Sequence, residues 1–290
     1  NDAPILNDTP VILNANEDTP PNDSTTTTGT LVSALVTDGS VLETADNVTP
    51  GTTSDNAIIE AIAVTGTTVS NGKLQFSLDG TNFTDVGVVS AGAALLLDDA
   101  DKIRFVPTTD FHGTAGSFTY RAWDQTSNAA SRAGQKVSTT TNGGTSEFSS
   151  FEETASVTIT SVNDAPSATI PNLTDSRLTV LEDAGAQTIN GFVTNLDDQG
   201  GTFESGQTLS LALTPLSGTD NTSLFSVQPA LTVDGSDPTR ANLTWTPATD
   251  ANTSDTDGPA VFRVTLNDNG VINNGGATST ILTSNLQFVV

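Results

Sequence analysis

The fold of this chain is indicated most directly by residues 117–123, which read SFTYRAW. Phe118, Tyr120 and Ala122 alternate with polar neighbours, so apolar and polar side chains fall on opposite faces of an extended backbone. A strand with one apolar and one polar face is typical of an antiparallel sheet that covers a hydrophobic core. This stretch therefore predicts a half-buried strand near the end of the first half of the chain.

Short stretches of this kind recur along the chain between Gly, Asn, Asp and Pro, and no long stretch has the apolar spacing of an amphipathic helix. Strands are predicted in the first half at residues 11–14, 30–37, 57–65, 73–78, 102–106, 117–123 and 155–162. Strands are predicted in the second half at residues 178–181, 188–194, 208–214, 223–227, 241–246, 260–266 and 284–290. About seven strands in each half predict an all-β protein of two tandem Greek-key β-sandwiches, of immunoglobulin or cadherin type.

A repeated tetrapeptide, Asn-Asp-Ala-Pro, marks the division between the two halves. It occurs at residues 1–4 and 163–166, and an acidic pair follows each copy. The pairs are Glu17-Asp18 and Glu182-Asp183. A repeat at this spacing indicates tandem domains. Oxygen donors gathered at each junction also predict that the joint binds something, with a hard cation such as calcium as the first candidate.

We place the two domains at residues 1–162 and 163–290, which gives each an ordinary size. The first domain is the longer because of an insertion at residues 125–153, rich in Ser, Thr, Gly and Asn. We interpret this insertion as a long loop or hairpin between the last two strands.

Charge and composition exclude several classes of function. The chain has 34 acidic and 9 basic residues and a net charge of -25. Such a surface is unsuited to nucleic acid or to an anionic membrane surface, and no apolar run reaches the roughly 18 residues of a membrane span. Because there is no Cys, disulfides, thiol catalysis and Cys-zinc sites are excluded. The acidic residues therefore either form a solvated surface or bind cations.

The junction at residues 162–166, VNDAP, resembles the junction between bacterial cadherin-like repeats. Further stretches similar to the signatures of such repeats lie at residues 95–97, 103–107, 111–114, 118–124, 181–185, 224–229 and 266–270. The resemblance covers nearly the whole chain. Repeats of this class occur in giant secreted adhesins exported by type I systems, alongside VCBS and RTX repeats. The resemblance therefore implies an extracellular protein at a bacterial cell surface.

The resemblance also implies calcium ions between successive domains, held by the base of the upper domain, the linker and the top loops of the lower domain. The ligands that it implies for this joint are Glu17, Asp98, Asp101, Asn163, Asp164, Asp197, Asp198 and Asp268. Asp99 lies in the same turn as two of these, and Glu204 is a further candidate. Half a site at the N-terminal end is implied for Asp2, Asp38 and Asp124.

We therefore expect calcium-stiffened extender repeats of a large secreted adhesin, which support cell adhesion and biofilm formation. The expected partners are calcium and a cell-surface glycan, a protein or like repeats, and the chain is expected to be a monomeric fragment of a longer protein. Two alternatives stay open. One is a carbohydrate- or protein-binding repeat that uses the insertion, and the other is a noncatalytic accessory region of a secreted hydrolase.

We expect no catalysis by this chain. The one histidine, His112, lies in a predicted turn, and no Gly-x-Ser-x-Gly elbow is present. Trp123 and Trp245 alternate with polar neighbours, which predicts that both pack in a core instead of stacking on a sugar.

Overall fold

The structure is a computed structural model, and it describes residues 3–6, 11–17, 29–36, 41–42, 61–125, 132–171, 177–204, 206–218, 221–254, 256, 258–271 and 276–290. The chain divides into two compact units, Asn1–Ser161 and Val162–Val290. Strands are the main secondary structure of both units and helical turns are few among the described residues, as the alternating sequence pattern predicts. None of the helices within the described ranges is long and apolar enough to cross a membrane.

The described residues of the first unit form two main sheets and one small strand pair. Its strands are β1 Ile5–Leu6, β2 Val11–Asn16, β3 Thr30–Leu31, β4 Val41–Leu42, β5 Ile62–Thr67, β6 Gly72–Ser77, β7 Thr84–Asp85, β8 Ala94–Leu97, β9 Lys102–Pro107, β10 Gly113–Ala122, β11 Lys136–Val137 and β12 Glu153–Thr160. One sheet has the order β11-β8-β5-β10-β12-β2 and the other the order β3-β9-β6-β7, while β1 pairs with β4. Strand β2 runs parallel to β12, and the other pairs are antiparallel.

The two main sheets of the first unit enclose one hydrophobic core. Phe118 and Tyr120 of β10 enter it from the six-stranded sheet, and Leu74 and Phe105 enter it from the four-stranded sheet. The alternation predicted for residues 117–123 is confirmed, because the apolar side chains are fully buried and the intervening polar ones are half-buried. The unit is a β-sandwich, as predicted.

One predicted strand of this unit is wrong over most of its length. Residues 30–37 begin as β3 but continue as a single helical turn, α1 Val32–Leu35. Val32, Leu35 and Val36 are all buried, at the i, i+3, i+4 spacing that places side chains on one face of a helix. A single turn is too short for its apolar spacing to be distinguished from strand alternation in the sequence.

A second, smaller core covers the outer face of the six-stranded sheet. Leu96 of β8 packs there with Trp123 and Phe148, whereas its neighbours Leu95 and Leu97 point into the main core. Within the described part of the predicted insertion, β11 pairs with β8, and Phe148 forms a bridge to Trp123. Residues 132–153 therefore pack onto the sheet as a cover, and the expectation that Trp123 lies in a core is confirmed.

The part of the second unit that the structure describes is a sandwich of two four-stranded sheets. Its strands are β13 Ser167–Thr169, β14 Arg177–Thr179, β15 Gln187–Asp197, β16 Ser210–Pro215, β17 Phe225–Val233, β18 Arg240–Pro247, β19 Ala260–Asn267 and β20 Ser279–Val289. A four-residue helix, α2 Gly201–Glu204, follows β15, and a 3₁₀ turn, Thr222–Leu224, precedes β17. The sheet orders are β13-β15-β18-β17 and β14-β20-β19-β16.

This strand order is that of the immunoglobulin fold, which confirms the predicted fold class. Read in chain order, the first sheet has the sequence of strands A, B, E and D, and the second contains C, F and G. The extra strand β14 pairs in parallel with the last strand, β20, as β2 does with β12 in the first unit. In each unit, an edge strand thus runs parallel to the last strand of the unit.

Aromatic side chains join the two sheets of the second unit. Phe288 is fully buried and makes edge contacts with Phe225, Trp245 and Phe262, at ring-centroid distances of 5.4, 5.4 and 5.5 Å. Two of these partners belong to the opposite sheet. The expectation that Trp245 packs in the core is confirmed.

Replacing Phe288 by Ala should lower the free energy of unfolding of the second unit by about 3–5 kcal/mol, since it removes three ring contacts and leaves a cavity. Hydrogen exchange of β19 and β20, followed by mass spectrometry, measures the change within this unit. The control is Ile281→Ala on the same strand, whose side chain is 58% exposed and should change the free energy by no more than about 0.5 kcal/mol. Equal effects of both substitutions would contradict the assigned core.

Candidate cation-binding site

The structure places the implied calcium ligands in two groups, one in each unit. Those in the first unit are Glu17, Asp98, Asp101 and Asp124. Those in the second unit are Asn163, Asp164, Asp197, Asp198 and Asp268. Asp2 and Asp38 lie outside the described residues.

Asn163, the first residue of the second Asn-Asp-Ala-Pro copy, is buried in the second unit. Its Nδ2 lies 3.3 and 3.4 Å from the two carboxylate oxygens of Asp268, 3.0 Å from the Asp164 carbonyl oxygen and 2.6 Å from the Ala277 carbonyl oxygen. The Ala277 N–H donates to the Asn163 carbonyl at 3.0 Å. These hydrogen bonds hold the motif against the loop that follows β19 and contains Asp268.

Two further residues bring oxygen atoms to the same place. Glu204, the buried last residue of α2, accepts a hydrogen bond from the Asp164 N–H at 3.3 Å. Gln207 donates from Nε2 to Asn163 Oδ1 at 2.9 Å, and its own Oε1 is buried and has no hydrogen-bond partner within the part of the chain that the structure describes. Sequence reasoning named Glu204 only as a further candidate and missed Gln207, because an isolated Gln carries no local signal.

Two glycines make this arrangement sterically possible. A Cβ on Gly270 would lie 1.5 Å from Asn163 Oδ1, and a Cβ on Gly276 would lie 2.6 Å from the Asn163 carbonyl oxygen. Both distances are too short for any side chain, so the loop can approach Asn163 only with glycine at these positions. Sequence reasoning missed this role as well, since glycine after Asp268-Asn269 is typical of an ordinary turn.

Asp197 and Asp198 lie at the end of β15. The Asp197 Oδ1 accepts from the Gln199 N–H at 2.7 Å, which closes a tight turn. Burial, and then the negative charges of Asp197 and Asp268, raise the pKa of the Asp198 carboxyl. A cleft of about 550 Å³ adjoins both residues, and Gln207 also lines it. The three acids thus share one region of the second unit and repel one another there.

In the first unit, Asp98 and Asp101 form a turn between β8 and β9. The buried Asp101 accepts from the Asp98 N–H at 2.7 Å, and Asp98 accepts from Gln125 Nε2 at the same distance. Burial, and then the charges of Asp98 and Asp99, raise the pKa of Asp101 to about 6. The Asp101 carboxyl therefore keeps its proton to a higher pH than an ordinary Asp does.

Glu17 and Asp124 are also buried in the first unit. The Glu17 Oε2 lies 3.4 Å from His112 Nδ1, and the Glu17 N–H donates to the Thr160 carbonyl at 3.0 Å. The Asp124 N–H donates to the Glu147 carbonyl at 3.1 Å. His112 thus lies between β9 and β10, as the predicted turn requires, and faces a carboxylate.

Among the residues that the structure describes, no three or more His, Asp or Glu side chains form a group that could hold a metal ion by themselves. A cation in the second unit would therefore need amide or backbone oxygens in addition to carboxylates. Calcium accepts such mixed oxygen sets. The buried Gln207 Oε1, which has no hydrogen-bond partner among the described residues, is available for such a set, because an amide oxygen can coordinate a cation as well as accept a hydrogen bond.

No family model and no curated protein sequence matches the chain. Among solved structures, the crystal structure of murine CEACAM1b is similar at 12% sequence identity, over 86% of this chain and 92% of that chain, with a TM-score of 0.24. The TM-score is too low for this similarity to show a shared fold or function.

The raised pKa of Asp101 predicts a specific pH dependence in calcium-free solution. Between about pH 4 and about pH 6 the folded state holds a proton on Asp101 that the unfolded state releases. The free energy of unfolding of the first unit should therefore fall as pH rises through this window, and Asp101→Asn should remove that part of the fall. Urea denaturation followed by Trp123 fluorescence, in a Trp245→Phe background, measures it.

The matched control is Asp85→Asn, because Asp85 is exposed and pairs with Lys73, which lowers the pKa of its carboxyl. This variant should keep the wild-type slope between pH 4 and pH 6. If the free energy of unfolding of Asp101→Asn falls with pH as steeply as that of the wild type, the Asp101 carboxyl does not cause the fall.

Proposed function

We propose that the chain is a pair of calcium-binding extender repeats from a large secreted bacterial surface protein that supports cell adhesion and biofilm formation. The observation that carries the proposal is the gathering of Asn163, Asp164, Glu204, Gln207 and Asp268 in the second unit. The segment that resembles a calcium-binding repeat junction is the one that meets these oxygen donors. The net charge of -25 supports the same proposal, since cations would neutralise part of it.

Calcium is the cation that suits these donors. It takes six to eight oxygens at about 2.3–2.6 Å in flexible geometry, whereas magnesium requires a strict octahedron. The residues that would hold it are Asp164, Glu204, Asp268 and the Oε1 atom of Gln207, with Asp198 close by. Once bound, the ion would supply positive charge that offsets the repulsion between these acids.

The proposed action is mechanical. A bound ion would tie the segment at residues 162–166 to the loops of its own unit, and the segment would lose freedom of motion. A chain of such repeats would then extend stiffly and carry a terminal ligand-binding module away from the cell. The insertion at residues 125–153 needs no separate role in this account, because its described part covers the outer face of a sheet.

Calcium titration of the full chain by isothermal calorimetry tests the binding. Asp268→Asn should weaken calcium binding at the second unit about tenfold or more, because it removes one ligand charge. Asp85→Asn removes an equal charge from an exposed ion pair with Lys73 and should leave the affinity unchanged. No heat of binding in the wild type, or equal loss in both variants, would contradict the proposed site.

Small-angle scattering tests the mechanical part independently. The full chain in calcium should give a narrower distribution of shapes and a longer maximum dimension than the same chain in chelator, since the ion restricts residues 162–166. Asp268→Asn should scatter alike in both solutions. If wild-type profiles are identical with and without calcium, the extender role is wrong even where binding is measured.

A further inference from the structure

The surroundings of the Asn163 amide determine which way it points. Its nitrogen end faces four acceptors, namely both carboxylate oxygens of Asp268 and the carbonyl oxygens of Asp164 and Ala277, at 2.6–3.4 Å. Its oxygen end faces the Nε2 donor of Gln207 at 2.9 Å. The reverse orientation would set an oxygen against a carboxylate and two carbonyls, so only the observed one satisfies the network.

The Asn163 backbone joins the same network. Asn163 and Ala277 exchange two hydrogen bonds, one from the Ala277 N–H to the Asn163 carbonyl and one from the Asn163 amide to the Ala277 carbonyl. Asp268 is held in turn by its N–H bond to the Thr278 carbonyl and by the Gly270 N–H, which donates to its Oδ1 at 2.8 Å. A side chain that is only 6% exposed thus links the motif to both arms of the β19–β20 loop.

This geometry bears on the role that the resemblance implies for Asn163, which is to supply its side-chain oxygen to calcium. That oxygen already accepts a hydrogen bond from Gln207. The nitrogen, which cannot coordinate a cation, is the atom that lies against Asp268. The amide is therefore placed to hold the carboxylate of Asp268 and not to share a cation with it.

We propose that Asn163 is a positioning residue, which assembles the acidic end of the second unit by donating hydrogen bonds before any cation binds. It orients the Asp268 carboxylate and holds residues 276–278, and it is not a cation ligand. The hydrogen-bonded assembly forms without calcium, whereas the effect of Asn163 on calcium affinity rests on the proposed function.

Asn163→Asp separates the two roles because it is nearly isosteric. If Asn163 were a ligand, the added carboxylate should preserve or tighten calcium binding. If Asn163 is a donor, the same change removes the amide hydrogens and sets a negative oxygen against Asp268 and two carbonyls. The second unit should then be less stable in chelator, and calcium should bind at least tenfold more weakly.

The experiment uses the full chain, with hydrogen exchange of β19 and β20 and the urea midpoint of the second unit measured in chelator, and calcium affinity measured by calorimetry. The control is Asn269→Asp, an exposed neighbour whose side-chain oxygen accepts from the Thr208 N–H and would keep doing so. It adds the same charge next to Asp268 in the chain and should change stability little. Wild-type stability in the Asn163 variant, with calcium binding kept or tightened, would overturn the proposal.

A second measurement needs no variant. In the calcium-free wild type, the side-chain amide protons of Asn163 should exchange slowly with solvent in NMR spectra, because the group is buried and donates. Rapid exchange in the absence of calcium would also overturn the proposal. If the wild type binds no calcium at all, the proposed function fails, yet exchange and stability in chelator still decide the role of Asn163.

Discussion

Each unit depends on burying the apolar face of one sheet against the apolar face of another. The chain has no cysteine, so no disulfide shares the task, and side-chain packing in the core holds the sheets together. In the second unit the Phe288 ring carries much of this contact, since it meets rings from both sheets. In the first unit Phe118 and Tyr120 of β10 occupy the equivalent inner face of the larger sheet. The acids discussed above lie beside strand ends: Asp101 precedes β9, Asp198 follows β15 and Asp268 follows β19.

The acidic loops show how a stable sandwich accommodates repulsion. Asp198 and Asp101 both have raised pKa values, and in each case burial is the main cause and neighbouring carboxylates the next. Asp268 is instead surrounded by donors, from Asn163 and from the backbone of Gly270. The ionised carboxylate is thus disfavoured at Asp101 and Asp198, whereas that of Asp268 is held by hydrogen bonds. The difference depends on which groups the loops place beside each side chain.

The sequence predicted the fold better than it predicted the site. Alternation at residues 117–123 and in most other stretches identified the strands, because a half-buried strand needs only a period of two. The helical turn α1 was missed because one turn has no measurable period. The cover formed by residues 132–153 was not expected from the insertion either. Its apolar members, such as Phe148, are isolated among Ser, Thr and Gly, and only the folded chain sets them against Trp123.

The sequence by itself determined that the protein is all-β, that its core faces alternate along each strand, and that oxygen donors accompany the repeated tetrapeptide. These follow from local periodicity and composition, which are read residue by residue. Only the tertiary structure decided that Asn163 meets Asp268, Gln207 and Ala277, and that glycines at positions 270 and 276 leave room for it. The physical reason is that these partners are distant in the chain, and the direction of an amide is set by the acceptors around it.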